Sequence, residues 1–336
     1  VSKFTQDVLF KDIELVPMVE NYDGTLLEPK HFLPLVPVAL LNPAQGIAVG
    51  FATNILPRAL EDIVEMQIAI LKGRKRLWEI PPHFEPLNQT AEEYEETDNG
   101  NIAWYFRGSV NKSGRAATVI VEALPYGLSH EKFIDHLDKL KEADIVLDYE
   151  DRSKDVIEIE VKFKRGKMED DVVKQLKLIN REIENLILID FDGTSVVSTT
   201  PEEAIRQFTQ WRLEWYLTRY KRLHDELEVQ IQKYKDILTA INKNVGSKAR
   251  TVKSRADLVE YLKSIEIVHT DYISGFPVYR FTKEEKSKVQ AKLKDANALL
   301  KQYKKLIKSE NERKKVYIKE LRDVVKAHQK GDYTPK

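Results

Sequence analysis

The chain has 336 residues, with 54 lysines and arginines balanced by 54 aspartates and glutamates, and it has no cysteine. The lack of cysteine excludes a disulfide-stapled fold, a thiolate zinc site, an iron–sulfur cluster and a cysteine nucleophile. An apolar share of 42 % over this length predicts two or three domains, and the apolar runs are too short to cross a bilayer.

The neutral total hides an uneven distribution of charge. Residues 281–336 hold 17 basic and 8 acidic side chains, net +9, so residues 1–280 hold 37 and 46, net −9. Residues 72–76 form a basic run, Lys72-Gly73-Arg74-Lys75-Arg76, whereas residues 85–99 hold six carboxylates and no basic side chain. Nucleic acid is therefore not excluded as a partner, although we expect residues 85–98 to form a solvent-exposed loop away from it.

The first 80 residues are predicted to be rich in loops. Residues 1–20 are amphipathic, and Asn21-Tyr22-Asp23-Gly24-Thr25 predicts a turn. Four prolines exclude one long helix over residues 26–45. Residues 45–55 are small and apolar and contain two glycines, which allow another backbone to approach closely. A helix is predicted over residues 57–71.

The middle third of the chain is predicted to be α+β. Residues 102–124 and 156–164 alternate between apolar and polar side chains, as half-buried strands do. Between them, Ser129 is placed to cap a helix that carries apolar residues at helical spacing.

Long helices are predicted from residue 199 onward. Thr200-Pro201-Glu202-Glu203 has the capping-box arrangement that starts a helix. Residues that are apolar except for Gln230 then recur at alternating spacings of three and four along two stretches. The first stretch has Tyr220, Leu223, Leu227, Gln230, Tyr234, Ile237 and Ile241, and the second has Val289, Leu293, Ala296, Leu300, Tyr303 and Ile307, resuming at Tyr317, Leu321 and Val324. Two such seams favour an antiparallel coiled coil with a small globular tip between them. A helix pair that serves only packing is the alternative.

An apolar run that ends in Asp190-Phe191-Asp192-Gly193-Thr194 resembles the first motif of haloacid-dehalogenase-type phosphatases. A carboxylate nucleophile beside Mg²⁺ would suit phosphoryl transfer. Such a site needs further parallel strands downstream, where this sequence has long helices instead. We therefore favour a strand that ends in an Asp-Gly turn before a capped helix.

Other signals for chemistry are weak. The seven histidines are scattered, and neither a Ser/His/Asp, an HExxH nor a P-loop pattern is present, so the sequence predicts no catalytic centre and no metal site in this chain. The basic side chains Lys72, Arg74, Lys75 and Arg76 are candidate phosphate contacts, with a solvated charged turn as the alternative.

Residues 21–58 resemble the breakage-reunion subunit of type IIA DNA topoisomerases, the gyrase A-like family. The resemblance is carried by Asn21-Tyr22-Asp23-Gly24-Thr25, by residues 40–57 (LLNPAQGIAVGFATNILP), by Leu124-Pro125-Tyr126, by residues 203–222 and by residues 272–285 (YISGFPVYRFTKEE). Within the family, the pattern is most similar to the medium subunits of T-even-like bacteriophage topoisomerases.

The resemblance implies a DNA-binding homodimer that cuts one duplex, passes another through the break and reseals it. The family's tyrosine nucleophile follows an arginine on a winged-helix domain expected upstream of Val1, so we expect a fragment that cannot cleave alone, and Tyr22 is not that nucleophile. Mg²⁺ and ATP are expected on a large partner protein with Toprim and ATPase domains. The implied location is the cytoplasm, that of the host for a phage protein, with no membrane partner.

One residue role follows from the same resemblance. Ile47 matches the isoleucine that inserts between base pairs and bends the cleaved duplex, and Asn42, Gly46, Ala48 and Gly50 belong to the same DNA-proximal loop. An ordinary core isoleucine is the alternative. Pro43 departs from the family, which generally has glycine there.

The resemblance implies an α+β multidomain fold with a long antiparallel coiled coil. Its predicted parts are a linker and DNA-bending region (1–80), an α+β tower (81–198), the first coiled-coil helix (199–242), an exit-gate dimerisation domain (243–282), the returning helix (283–330) and a tail (331–336). We also hypothesise that the basic returning helix, through Lys301, Lys304 and Lys308, faces the transported duplex. A solvated helix face is the alternative.

Overall fold

The computed structural model describes residues 1–98 and 100–333 and divides into two compact units. The first comprises Val1–Leu33 with Gln210–Glu320, and the second comprises Pro34–Thr209 with the described residues from Leu321 onward. Small antiparallel sheets and long helices confirm the α+β class. In the described part of the chain, no helix is both long enough and apolar enough to cross a membrane.

Nine α-helices and fifteen strands are defined in the described residues. The helices are α1 Leu60–Leu71, α2 His130–Glu142, α3 Val172–Gln175, α4 Pro201–Asn242, α5 Val245–Lys248, α6 Arg255–Ser264, α7 Thr270–Ser274, α8 Lys283–Lys308 and α9 Glu310–Gln329. The strands are β1 Met18–Glu20, β2 Leu27–Pro29, β3 Ala44–Ala48, β4 Phe51–Ile55, β5 His83–Phe84, β6 Gln89–Thr90, β7 Glu93–Glu96, β8 Ile102–Arg107, β9 Ser109–Lys112, β10 Thr118–Ala123, β11 Val146–Asp151, β12 Ile159–Phe163, β13 Ile179–Glu184, β14 Ile187–Ile189 and β15 Val196–Ser198.

A four-stranded antiparallel sheet, in the order β11-β12-β10-β9, forms one core of the second unit together with α2. Ser129 caps α2 as predicted, because its hydroxyl accepts a hydrogen bond from the backbone N–H of Lys132. The strand predicted over residues 156–164 is shorter, since β12 begins only at Ile159.

A second sheet of the same unit, in the order β13-β8-β7, is fixed by a buried ion pair. Arg58 and Glu184 are both almost fully buried, and Nη2 of Arg58 lies 2.6 Å from Oε2 of Glu184. The same carboxylate accepts a hydrogen bond from the indole N–H of Trp104 at 3.2 Å. A buried ion pair is tolerated when its remaining donors and acceptors are satisfied in this way.

The first unit is organised around the long helix α4. Tyr216 of α4 stacks on Tyr317 of α9 with ring centroids 4.8 Å apart, and Tyr220 contacts Tyr303 of α8 at 5.7 Å. Thr200 starts α4 as predicted, because its hydroxyl accepts from the N–H of Glu203 at 3.3 Å. The coiled-coil and domain assignments remain predictions.

The returning segment predicted over residues 283–330 consists of two helices, α8 and α9, because the helix is interrupted at Ser309. The hydroxyl of Ser309 accepts from the N–H of Glu312 at 3.4 Å and so starts α9. Arg313 donates to the carbonyls of Leu306 and Ile307, both at 2.8 Å, and so satisfies the end of α8. Ser309-Glu310-Asn311-Glu312 has the Ser-x-x-Glu capping pattern, which is the signal that the apolar periodicity concealed.

Residues 243–282 contain the short helices α5, α6 and α7, which share one small core with Ile237 and Ala240 of α4 and Val289 of α8. Asp236 of α4 joins this region, because its buried carboxylate accepts from the N–H of His269 at 2.9 Å and lies 2.7 Å from Nδ1 of the same residue. Of the tail predicted over residues 331–336, residues 334–336 lie outside the described part of the chain.

Candidate nucleic-acid interface

Strands β3 and β4 form a two-stranded antiparallel ribbon that presents Ile47. Ile47 pairs with Ala52, and Ala48 pairs with Phe51, so that Val49 and Gly50 make a two-residue turn. Gly50 has a positive φ of 86°, which explains the glycine at that position. The small apolar segment of the sequence is therefore a ribbon with a tight tip.

The end of this ribbon exposes apolar side chains. Ile47 is 88 % exposed and Phe51 is 54 % exposed, while Val49 at the tip is fully exposed. Within this chain, Ile47 is therefore not the core isoleucine that was the alternative. Ile47 pairs with Ala52 and Phe51 with Ala48, so the two large apolar side chains lie on opposite faces of the ribbon near its tip.

The base of the ribbon is fixed to the rest of the second unit. Thr53 donates its hydroxyl to the carbonyls of Asn185 and Ile187 at 3.1 and 3.0 Å. Asn54 and Asn185 exchange backbone hydrogen bonds at 2.9 and 3.0 Å. The ribbon is thus a short arm that is held at its base and presents Ile47 near its tip.

The other predicted loop residues lie on or beside the ribbon. Asn42, Gly46, Ala48 and Gly50 are all exposed. A Cβ added at Gly46 would meet only the methyl group of Thr53, at 3.7 Å, which is ordinary van der Waals contact. The fold of this chain therefore does not require glycine at position 46, and the room beside it is open to a ligand.

The predicted basic run follows the C-terminal end of α1, and Lys72, Arg74, Lys75 and Arg76 are all exposed. Arg74 lies over the ring of Trp78, 4.9 Å from its centroid. Within the described residues, none of these four cations forms an ion pair. Cations also suit a helix C-terminus, so the solvated-turn alternative stays open.

The ribbon and the basic run adjoin one hydrophobic core. Ile55 at the end of β4 packs in a cluster with Ile63 and Met66 of α1, against which Leu77 and Trp78 also pack. Helix α1 therefore links the arm that carries Ile47 to the segment that carries the unpaired cations.

The expectation of a loop over residues 85–98 is partly wrong. Residues 93–96 form strand β7, which pairs with β8 at the edge of a sheet. Glu95 of this strand pairs with Arg181 at 2.7 Å, and Glu92, just before it, pairs with Arg107 at 3.0 Å. Charged side chains on an edge strand prevent pairing with other chains, which gives these residues a structural role.

The Asp-Gly motif is a turn, as favoured from the sequence. Strand β14 runs into this turn and pairs antiparallel with β15. Asp192 accepts from the N–H groups of Thr194 and Ser195 at 2.7 and 2.8 Å. The side-chain hydrogen bond from Ser195, with these backbone bonds, holds the pKa of Asp192 well below its usual value. The arrangement lacks the parallel strands of a phosphatase site, so that alternative is not supported.

Tyr22 lies in the predicted turn and is fully exposed. Asn21 shapes the turn, because its side-chain carbonyl accepts from the N–H groups of Thr25 and Leu26 at 3.0 and 3.2 Å. Gly24 adopts a positive φ of 64°. This first segment of the topoisomerase-like pattern is thus a hairpin turn between β1 and β2 in the first unit.

One group of potential metal ligands occurs in the described residues, namely His224, Asp225 and Glu228 on α4. Nδ1 of His224 lies 3.0 Å from Asp225, whereas Nε2 lies 3.4 Å from Glu228, so the two carboxylates face different ring nitrogens. Lys304 lies 3.7 Å from the same oxygen of Glu228. This arrangement suits ion pairing better than chelation of one metal.

Comparison with known proteins places these features in context. Residues 1–322 match the family of the A subunits of DNA gyrase and topoisomerase IV. The chain is 24 % identical over 309 residues to the DNA topoisomerase medium subunit of Enterobacteria phage T4, covering 88 % of this chain and 67 % of that protein. It is 26 % identical over 356 residues to the DNA gyrase A subunit of Synechocystis, covering 95 % and 40 % respectively. A putative mitochondrial DNA topoisomerase 2 of Caenorhabditis elegans is 24 % identical over 310 residues, covering 84 % and 26 %, so the chain spans less than half the length of these last two relatives.

Proposed function

This chain belongs to the family of the A subunits of DNA gyrase and topoisomerase IV, and from that premise we propose that it is the DNA-bending part of a type IIA topoisomerase. The enzyme would pass one duplex through a transient double-strand break in another. The observation that carries the proposal is the exposed Ile47 on a ribbon whose base is hydrogen-bonded in place.

Ile47 is proposed to insert between two base pairs of the duplex that is cut. Apolar wedges kink DNA because the unstacking cost, a few kcal/mol per step, is offset by the contacts that bent DNA makes with the protein. Such a side chain must be exposed before DNA binds, and the strands that carry it must stay in place when it enters between base pairs. The exposure of Ile47 and the anchoring of Thr53 meet both conditions.

The same duplex is proposed to contact the cations at the end of α1. Lys72, Arg74, Lys75 and Arg76 are exposed and lack carboxylate partners in the described part of the chain, so their charge is available to phosphates. Phosphate contacts supply most of the sequence-independent affinity of such complexes. Asn42, Gly46, Ala48 and Gly50 would lie beside the backbone of this duplex.

The region around α5, α6 and α7 is proposed to be a homodimer contact at an exit gate. Exposed apolar side chains cluster there in the sequence, at Val268, Tyr272, Val278 and Tyr279. Two copies would bury these side chains against each other, since aromatic and aliphatic residues dominate the centres of stable interfaces. Helices α4, α8 and α9 would form the arm that carries this contact.

The chemistry of cleavage is proposed to reside outside these residues. Tyr22 follows Asn21 rather than an arginine and lies in a hairpin turn, so we assign it no nucleophilic role. Mg²⁺ and ATP are assigned to partner domains or to a separate large protein that carries the ATPase and Toprim domains. This chain would then bend the duplex that is cut, which we call the gate duplex, and would provide the homodimer contact.

The test is the bend angle of a gate duplex labelled with a fluorescent donor and acceptor at its ends, measured with the reconstituted enzyme. Ile47→Ala should lower energy transfer toward that of straight DNA and reduce cleavage of the duplex about tenfold or more, while the protein stays folded. Val156→Ala removes a β-branched side chain that is 71 % exposed in another part of the second unit, and it should change neither. Normal bending by Ile47→Ala would refute the proposal.

A further inference from the structure

Helix α8 carries nine lysines and only three carboxylates, and one of its flanks holds lysines without any carboxylate. Eight exposed residues follow one another at steps of three or four along one flank, and we name them the lysine stripe. They are Lys283, Ser287, Gln290, Lys294, Asn297, Lys301, Lys305 and Lys308. At 3.6 residues per turn these eight side chains fall within an arc of about 80°.

The carboxylates of α8 lie away from this arc. Glu284 and Asp295 are displaced from the centre of the stripe by about 100° or more, and Glu285 lies almost opposite, at 3.6 residues per turn. Val289 and Ala296, the buried residues of α8, lie on a third side. The stripe is therefore an acid-free, solvent-facing flank and not a mixture of opposite charges.

Four of the five lysines in the stripe carry uncompensated charge. Lys305 lies 3.1 Å from Glu312. Among the residues that the structure describes, Lys283, Lys294, Lys301 and Lys308 have no carboxylate oxygen within ion-pair distance. A solvated helix face normally interleaves both signs of charge, as in designed and natural surface helices.

Helix α9 shows that contrast within the same protein. Lys314 pairs with Glu310 and Lys315 pairs with Glu312, both at 2.7 Å, so the lysines near its start are compensated by its own carboxylates. Among the described residues, the four unpaired lysines of the stripe thus contribute to the basic excess of the C-terminal part of the chain from one flank of α8.

We propose that the lysine stripe is a sequence-independent contact surface for a second DNA duplex, separate from the duplex bent by Ile47. This inference rests on the proposed function, because a topoisomerase handles two duplexes. The stripe extends about 38 Å at 1.5 Å per residue. B-DNA presents one phosphate charge per about 1.7 Å of axis, so a duplex along α8 would meet phosphates over the whole stripe.

The composition of the stripe favours DNA over a protein partner. It consists of lysines and of neutral side chains that donate hydrogen bonds, and it contains no apolar residue. The large exposed apolar side chain described on α8, Leu299, lies almost opposite the centre of the stripe at 3.6 residues per turn. A protein interface would need an apolar centre, which this flank lacks.

Photocrosslinking tests the contact directly. Because the chain has no cysteine, Lys301→Cys and Lys292→Cys each supply a single labelling site in this protein, on opposite flanks of the same exposed helix. The reconstituted enzyme, loaded with an unlabelled gate duplex and a radiolabelled second duplex, should crosslink the second duplex at least fivefold more strongly from position 301. Equal labelling from both positions, or none from position 301, would overturn the inference.

Charge neutralisation provides the second readout. Replacing Lys283, Lys294, Lys301 and Lys308 by Gln should lower the rate of strand passage at limiting second duplex, most strongly at low salt. The slope of the logarithm of this rate against the logarithm of salt concentration should become shallower by about 3 to 4. The matched control replaces Lys288, Lys292, Lys314 and Lys315 by Gln. It removes the same charge and should leave the salt dependence unchanged.

Cleavage and bending of the gate duplex distinguish a failure of the lysine stripe from a failure of the proposed function. If cleavage and bending are intact and crosslinking shows no preference for position 301, the lysine stripe is refuted and the proposed function stands. If position 301 crosslinks DNA although the enzyme neither bends nor cleaves a duplex, the stripe stands and the proposed function fails. Identical salt dependence in the two quadruple variants would also refute the stripe.

Discussion

Asp12 and Arg219 form a buried ion pair that joins the N-terminal segment to the middle of α4, across 207 positions of sequence. Arg212 donates to the same carboxylate oxygen, and Arg219 reaches Glu320 of α9 at 2.8 Å. The guanidinium of Arg219 also lies 4.3 Å from the ring centroid of Tyr216. Three separate segments of the first unit are thus held by one network of charged groups.

Asp12→Asn should destabilise the first unit by about 3 kcal/mol, because it leaves two buried guanidinium groups without their shared carboxylate. Chemical unfolding followed by far-ultraviolet circular dichroism measures this loss. Glu14→Gln is the matched control, since Glu14 is exposed and lies 3.5 Å from Arg222. Surface pairs of that kind contribute little. Equal effects of the two substitutions would show that the buried network is not what stabilises this unit.

Stability of the first unit should fall steeply in acid. Burial alone would raise the pKa of Asp12, but the hydrogen bond from Arg219 and the charge of Arg212 outweigh it, so its pKa lies below the usual value. The pKa of Glu320 is lowered likewise, since the charges of Arg219 and Lys11 outweigh its burial. As pH falls, these two carboxylates take up protons in the unfolded chain near their ordinary pKa values of about 4, but in the folded protein they stay ionised to a lower pH. The stabilisation is therefore complete above about pH 4 and is lost as pH falls through the folded-state pKa values. Urea unfolding at a series of pH values should show this loss, and Asp12→Asn should flatten it.

Gly46→Ala should leave folding unchanged within about 0.5 kcal/mol, because the added methyl meets only Thr53 at ordinary distance. It should nevertheless weaken bending and cleavage of the gate duplex if DNA approaches the ribbon there. Thermal unfolding and the energy-transfer assay separate the two effects. Gly108→Ala is the contrasting control, since its Cβ would lie 2.5 Å from the carbonyl oxygen of Ala123 and should destabilise the fold. Normal bending by Gly46→Ala would show that DNA does not approach this glycine.

Thr53→Val should loosen the ribbon, because it removes the hydroxyl that donates to the carbonyls of Asn185 and Ile187. Loss of these hydrogen bonds should cost about 1 to 2 kcal/mol. Hydrogen exchange of the β4 amides should accelerate, and DNA bending should fall even though Ile47 is unchanged. Thr53→Ser retains the hydroxyl and should restore both properties. If Thr53→Ser behaves like Thr53→Val, the hydroxyl is not the anchor.

The basic run at the end of α1 should contribute to affinity for the gate duplex. Replacing Lys72, Arg74, Lys75 and Arg76 by Gln should reduce the salt dependence of binding by about 3 to 4 logarithmic units per decade if all four contact phosphates. Titration of a fluorescent duplex at several salt concentrations measures this slope. An unchanged slope would favour the solvated-turn alternative.

The local signals of this sequence correctly predicted individual elements. Ser129 and Thr200 cap α2 and α4, and the Asp-Gly motif after β14 is the turn that its residues predict. Each of these depends on hydrogen bonds within a few residues, which the sequence displays directly. The interruption at Ser309 was also local, but a strong apolar period on both sides of it concealed the capping pattern.

The sequence by itself determined the family, the α+β class, the starts of α2 and α4 and the uneven charge, because motifs, capping residues and composition are properties of short segments. Only the tertiary structure decided that Ile47 is exposed, since the same apolar residue in the same local pattern could equally have been buried. It also decided that Asp12 meets Arg219 and that, among the described residues, four lysines of the stripe on α8 lack carboxylate partners. Exposure and ion pairing are set by residues distant in sequence, whose positions no local pattern specifies.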